Sequence, residues 1–262
     1  KIFSVIQSKS LSALEERGIP KLDLFTQYIR TGPDRTGITT KKEFRRHHGA
    51  DSMANHVAEE KPLRKMAEAF KDLANTLNSQ TLDEAAKMEV APFSHACTLV
   101  SPLFRCLGIA FKFAELDYVA KVNDLAEASK SITTLHTMMD QDIQANCVRK
   151  AGSHTRNLLR VKRGLDMVKV LFEEIIASEG NSLKDPASKA YTQVFAPYHG
   201  WAIRKAVSAG MYALPTRQQL MIKLNEDEDS ARTQMQNYVA SCDTVILYID
   251  KLFTSRDLGT DW

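Results

Sequence analysis

Apolar residues recur every three or four positions along most of this chain, the period of a helix with one buried face. Leu63, Met66, Phe70, Leu73 and Leu77 make the first such stripe. After a polar stretch around Asn78-Ser79 and Asp83–Lys87, a second stripe runs through Phe93, Cys97, Val100, Phe104 and Leu107. Pro102 lies inside it and should bend or break it. Phe111, Tyr118, Val122 and Leu125 continue in helical register, and Ser131 offers a cap for a short helix carrying Leu135, Met138 and Met139. Ser153 is placed to cap a long helix that reaches about Ser178, with Leu158, Leu165, Val168, Phe172 and Ile175 inward. Gly180 and Pro186 mark a loop. A helix over about Ser188–Phe195 stops before Pro197, and another runs from near Trp201 to before Leu214-Pro215. The last stripe, Met235, Val239, Cys242, Ile246, Ile249 and Leu252, follows the acids Glu226–Asp229, which suit the positive end of a helix dipole. Period-two alternation never persists. The pattern predicts an all-α chain of about eight helices without internal repeats.

Residues 1–52 break this pattern. They hold the turn signals Gly18-Ile-Pro20, Thr31-Gly-Pro33 and Thr36-Gly37, then a basic knot, Lys41–His48. Met53-Ala54 resembles a start of translation. The expected organisation is an appended or variable segment over 1–52, loosely ordered, and one helical domain over 53–262.

With 44% apolar and 26% charged residues, the 262-residue chain has enough material for a sizeable core. A formal net charge of +3 is too mild to point to nucleic acid by itself. The four cysteines form no C-x-x-C pair and no zinc spacing, which fits free thiols in a reducing compartment. No apolar run reaches the roughly 20 residues of a membrane span. The amino end lacks a signal-peptide core. A cytoplasmic location is expected.

Charge becomes informative locally. Between Asp142 and Asp166 there is no acid, but there are Arg149, Lys150, Arg156, Arg160, Lys162 and Arg163. Arg156, Arg160 and Arg163 are spaced i, i+4, i+7 and share a helix face. Guanidinium groups in a row repel, so internal carboxylates or an anionic ligand should offset them. The arginine fork matches phosphate oxygens. Solvation of a basic face is the plainer reading of the same run. Asp117 and Lys121, at i, i+4, read in isolation as a surface ion pair worth about 0.3–0.5 kcal/mol, although their neighbours are unusually apolar. His199 sits in Pro197-Tyr-His-Gly-Trp201, bracketed by turn residues. There is no G-x-S-x-G elbow, H-E-x-x-H, Walker loop or G-x-G-x-x-G, so catalysis has little support, and no cofactor or metal is expected.

Together these segments resemble the glycolipid-transfer-protein family. The resemblance is carried by Phe93–Cys97, Val100–Phe104, Leu107–Lys121, Arg149–Asp166, Phe195–Trp201 and the closing Leu258–Trp262. It implies a two-layer helical sandwich enclosing an apolar pocket for lipid chains, with a polar cluster at the head group. Matched by motif, that cluster is Asp117, Lys121, Arg156, Arg160 and His199. The resemblance implies that Asp117 accepts from a sphingoid amide, His199 donates to the acyl carbonyl, and Lys121, Arg156 and Arg160 neutralise a phosphate. The sugar-binding branch carries a tryptophan at the position of Arg160. The arginine here implies ceramide-1-phosphate rather than glycolipids, and the matched segments together resemble a plant branch of the family tied to restraint of programmed cell death.

Burying each CH₂ is worth about 0.8 kcal/mol, so a long acyl chain does not readily cross water without a carrier. Uptake then requires transient, peripheral contact with a membrane. Trp201, Arg204 and Lys205 are the candidate docking residues. The alternative is a lipid sensor or adaptor that uses the same site to signal through a protein partner. A nucleic-acid-binding module finds no aromatic interleaving on the basic face.

Overall fold

The computed structural model describes residues 61–79, 87–108 and 111–262. The expected extension over 1–52, and the domain boundary at 53, lie outside these residues. The described residues form ten α-helices: α1 (Pro62–Ser79), α2 (Val90–Thr98), α3 (Ser101–Cys106), α4 (Lys112–Ala128), α5 (Leu135–Gln144), α6 (His154–Ala177), α7 (Lys184–Val194), α8 (Trp201–Gly210), α9 (Arg217–Leu224) and α10 (Glu228–Thr254). Short 3-10 turns, Ala196–Tyr198 and Met211–Ala213, flank α8. The only extended pairings among the described residues are two isolated bridges, Glu89 with Thr134 and Ser182 with Thr216. No helix among these residues is long and apolar enough to cross a membrane.

The chain follows its own punctuation at most helix ends. Ser153 caps α6, its hydroxyl accepting from the Arg156 N–H at 3.1 Å. Asp227 caps α10 by accepting from the Ser230 N–H, and Glu228 and Asp229 fill the first turn. Three details differ from the pattern. The cap of α5 is Thr134, which accepts from the Thr137 N–H, while Ser131 lies just beyond α4 and bonds back to the Ala128 carbonyl. Pro186 belongs to the first turn of α7, where its missing N–H costs nothing. The helix α9 carries no clear apolar stripe. It stands on a Thr216–Gln219 capping box and on the buried Arg217, which donates to the carbonyls of Ile175 and Ser178 and pairs with Glu228.

The helix α6 is the hub. It packs against α4, α5, α7 and α10, while α1 lies along α10 and α2 along α4. The layers share one apolar interior, with Phe93, Leu125, Leu158, Leu165, Phe172 and Tyr238 all fully buried. Ion pairs stitch α6 to α10 at its edge: Lys162 bridges Asp166 and Asp250, and Lys169 meets Asp243. All four cysteines are free thiols. Burial pushes Cys242 up to about 12, so it packs as a small apolar group.

Candidate functional site

Contacts at two levels set the register between α4 and α6. Asp124 Oδ2 accepts from Asn157 Nδ2 and bonds His154 Nδ1, both at 2.8 Å. At the other level, Gly164 faces the ring of Tyr118 so closely that a Cβ there would lie 2.7 Å from Cδ2 and Cε2. Going back along α4 from Asp124 to Tyr118 thus matches going forward along α6 from Asn157 to Gly164, so the two helices run antiparallel. Lys121 lies midway on α4. Arg160, three residues past Asn157 and four before Gly164, lies midway on the facing side of α6. Residues 39 positions apart in sequence are thereby brought to the same level.

Within this frame the Lys121 ammonium donates to Asp117 Oδ1 at 2.6 Å. The lysine is buried and its partner is partly exposed, so the pair is no loose surface bridge: the aspartate holds a desolvated ammonium. Arg156 and Arg160 are half-buried on α6. Arg156 and Arg160 lie one turn apart on α6, Arg160 at the level of Lys121 on α4.

His199 follows the 3-10 turn Ala196–Tyr198 and is half-buried. Its ring stacks on Phe195 with centroids 5.7 Å apart and planes at 11°, and its Nδ1 bonds the Tyr191 hydroxyl at 2.9 Å. The ring is therefore fixed in plane and in orientation by two residues of the preceding α7 segment. Burial raises the Tyr191 phenol, which stays protonated, and the charge of Arg204 partly offsets that rise.

The third arginine of the run has another use. Arg163 is buried; its Nη2 donates to the main-chain oxygens of Thr260 and Trp262, each at 2.7 Å, and its guanidinium lies 3.6 Å over the Tyr198 ring. The expected docking residues lie on α8: Trp201 is 69% exposed, and Arg204 and Lys205 are exposed beside it. Tyr212, 74% exposed, extends the aromatic character of this edge. Sequence reasoning singled out neither Tyr212 nor the supports Asp124, Asn157, Tyr191 and Phe195. Asp124 carried a usable signal, since it lies three residues past Lys121 on the same face. The others depend on tertiary contacts. A crevice of about 530 Å³ opens elsewhere, between the end of α6, α9 and the start of α10. Its arginines, Arg217 and Arg232, are already tied to main-chain carbonyls.

Residues 88–226 match the family model described as glycolipid transfer protein. The chain is 69% identical over 211 residues to Accelerated cell death 11 of Arabidopsis thaliana, covering 80% of this chain and 100% of that protein. A crystal structure of a point mutant of that Arabidopsis protein, complexed with C12 ceramide-1-phosphate, matches with a TM-score of 0.75 at 68% identity, over 78% of this chain and 99% of that one. Human ceramide-1-phosphate transfer protein shares the fold at 21% identity, with a TM-score of 0.64 over 75% of this chain and 97% of that one. This chain belongs to the glycolipid transfer protein family.

Proposed function

We propose that this chain binds ceramide-1-phosphate and carries it between membranes, and that by setting the level of this lipid it restrains programmed cell death. The carrying observation is that Lys121, held on Asp117, lies at the same level as Arg160 across the α4–α6 interface. A phosphate monoester brings nearly two negative charges and three acceptor oxygens. Lys121, Arg156 and Arg160 supply matching charge, and the arginine forks match the oxygen geometry. Asp117, partly exposed beside them, retains acceptor capacity for an amide N–H. His199, steadied by Tyr191 and Phe195, is assigned to the acyl carbonyl. The apolar interior between the helix layers takes the chains.

The relatives support the same ligand: the Arabidopsis protein and the human transfer protein both have structures with ceramide-1-phosphate, and the Arabidopsis protein is named for accelerated cell death. The reading is one of lipid transfer rather than catalysis. Trp201, Arg204 and Lys205 are assigned to transient, peripheral membrane contact. An indole suits the interface, and each basic residue near an anionic surface adds about 1 kcal/mol.

Vesicle-to-vesicle transfer of labelled ceramide-1-phosphate, run beside labelled glucosylceramide, tests the proposal. Rapid movement of the phosphate lipid alone is the expected result. Movement of the sugar lipid instead would overturn the assignment of Arg160, and movement of neither would overturn the carrier function.

A further inference from the structure

The segment Leu258–Trp262 folds back over the start of α6 and is gripped from two sides. Gly259, at φ +65°, and Asp257, at φ 54°, make the reversal. Arg149 donates from Nη2 to the Leu258 carbonyl at 3.3 Å and lies 5.2 Å over the Trp262 ring. The Trp262 indole N–H donates to the same carbonyl at 3.0 Å, and its ring packs near Phe253 at 6.4 Å. Arg163 holds the Thr260 and Trp262 oxygens from beneath. Tyr198, stacked on Arg163, donates its hydroxyl to the Thr260 oxygen at 3.5 Å.

We infer that residues 258–262 form a strap that positions the head-group site through Arg163 and Tyr198, and so contributes to selectivity for a phosphate head group. The inference rests on the ligand proposed above. The strap does two things there. It supplies main-chain oxygens to a buried guanidinium that would otherwise lie next to Arg160 with donors unmet, and burial and the charge of Arg160 both press on Arg163. This keeps Arg163 away from the phosphate position and leaves that position to Arg156 and Arg160. The strap also fixes Tyr198, the last residue of the 3-10 turn that delivers His199. A residue adjacent to His199 is thereby clamped to α6, the helix that carries the arginines, so the two halves of the site keep one spacing. Arg163, Tyr198 and the strap are positioning elements and touch no lipid.

The test compares the full chain with a variant ending at Asp257. Dissociation constants are measured for labelled ceramide-1-phosphate and for labelled ceramide, which lacks the phosphate. Truncation is expected to weaken ceramide-1-phosphate binding about tenfold, the scale of one lost charge-assisted interaction, and to change ceramide binding less than about twofold. The His199 imidazole resonances should shift or broaden without lipid present. Because truncation can disturb folding, Arg163→Lys provides a milder variant. It keeps the charge but loses the fork and the stack, and should show the same selective loss at about threefold. Tyr198→Phe, which keeps the ring under Arg163 but loses the bond to Thr260, should show a smaller selective loss than Tyr198→Ala, which loses both. Equal losses for both lipids would reduce the strap to a structural prop, and unchanged affinities would remove its role altogether. An intact chain that binds no ceramide-1-phosphate would instead defeat the carrier reading, and the strap's role with it.

Discussion

Lys121 and Asp117 are one turn apart on α4 and 2.6 Å apart at their charged atoms, yet the lysine side chain is 7% exposed and the aspartate 38%. The aspartate thus holds a desolvated ammonium while its own carboxylate stays partly open to solvent. Asp117→Ala should therefore destabilise the fold by about 1 kcal/mol, the partial exposure of the pair screening the larger cost of a fully buried break. Lys121→Met removes the charge with little change in volume. It should leave the thermal midpoint close to the parent and weaken ceramide-1-phosphate binding at least tenfold. Thermal melts and lipid titrations of both variants check the two halves of the argument. A Lys121→Met chain that binds normally would take the lysine out of the site.

Arg160 faces Lys121 across the same interface. Arg160→Glu replaces a phosphate-matching fork with a like charge and should abolish binding of the phosphate lipid while the far-ultraviolet circular dichroism stays that of the parent. Normal binding by the folded variant would sink the head-group assignment.

Gly164 is a point of close contact between α6 and α4. A Cβ at this position meets the Tyr118 ring at 2.7 Å. That ring is buried, packs 5.3 Å from Phe104, and donates its hydroxyl to the Cys97 carbonyl, so it has little room to move. Gly164→Ala should cost about 1–3 kcal/mol, the usual scale of overpacking. For a domain of this size each kcal/mol lowers the melting midpoint by about 2–4 °C. Because the same contact sets the level of Lys121 against Arg160, lipid affinity should fall with stability. A variant as stable as the parent would show that the interface accommodates the methyl and that the register has other supports.

Much of this arrangement was legible in the sequence because it is local. The i, i+4 spacing of Asp117 and Lys121 and of Arg156 and Arg160, and the Ser153 cap that starts α6, are properties of single helices. The all-helical class followed from periodicity for the same reason. What escaped is non-local or lacks a stripe. Helix α9 is held by Arg217 reaching main-chain carbonyls at the end of α6, a contact no periodicity encodes. The break expected at Pro102 does separate α2 from α3, and this split, with the unforeseen α9, accounts for ten helices where the pattern counted about eight. Arg163 shares the spacing of Arg156 and Arg160 but turns to residues 97 and 99 positions away. Spacing alone gave no sign that one of three equivalent-looking arginines is committed to the fold.

Acidification should weaken the start of α6 through Asp142. Burial alone would raise this carboxyl, but the Thr155 N–H and the Ser153 hydroxyl donate to it at 2.7 Å each, and the Cys147 thiol at 3.3 Å, and these bonds hold it below 3.8. A depressed folded-state value means that the stabilisation is fully present above the unfolded-state value near 3.9 and is lost as pH falls through the lower folded value. The denaturation midpoint should therefore drop as pH is lowered below about 4. Asp142→Asn should be less stable at neutral pH and flatter over that window. An unchanged acid slope in the variant would assign the loss to other carboxylates.

Trp201 separates docking from binding. Its side chain is exposed at the first residue of α8, with Arg204 and Lys205 on the following turn, and it makes no ring contact with the head-group residues. Removing it takes away an interfacial anchor and leaves Lys121, Arg156, Arg160 and His199 untouched. Trp201→Ala should slow vesicle-to-vesicle transfer several-fold while the equilibrium affinity for short-chain ceramide-1-phosphate stays within about twofold, the split expected when only an encounter surface is lost. Raising the fraction of anionic lipid should partly restore the rate, because Arg204 and Lys205 then supply more of the attraction. Equal losses in transfer and in binding would place the indole at the lipid itself rather than at the membrane surface.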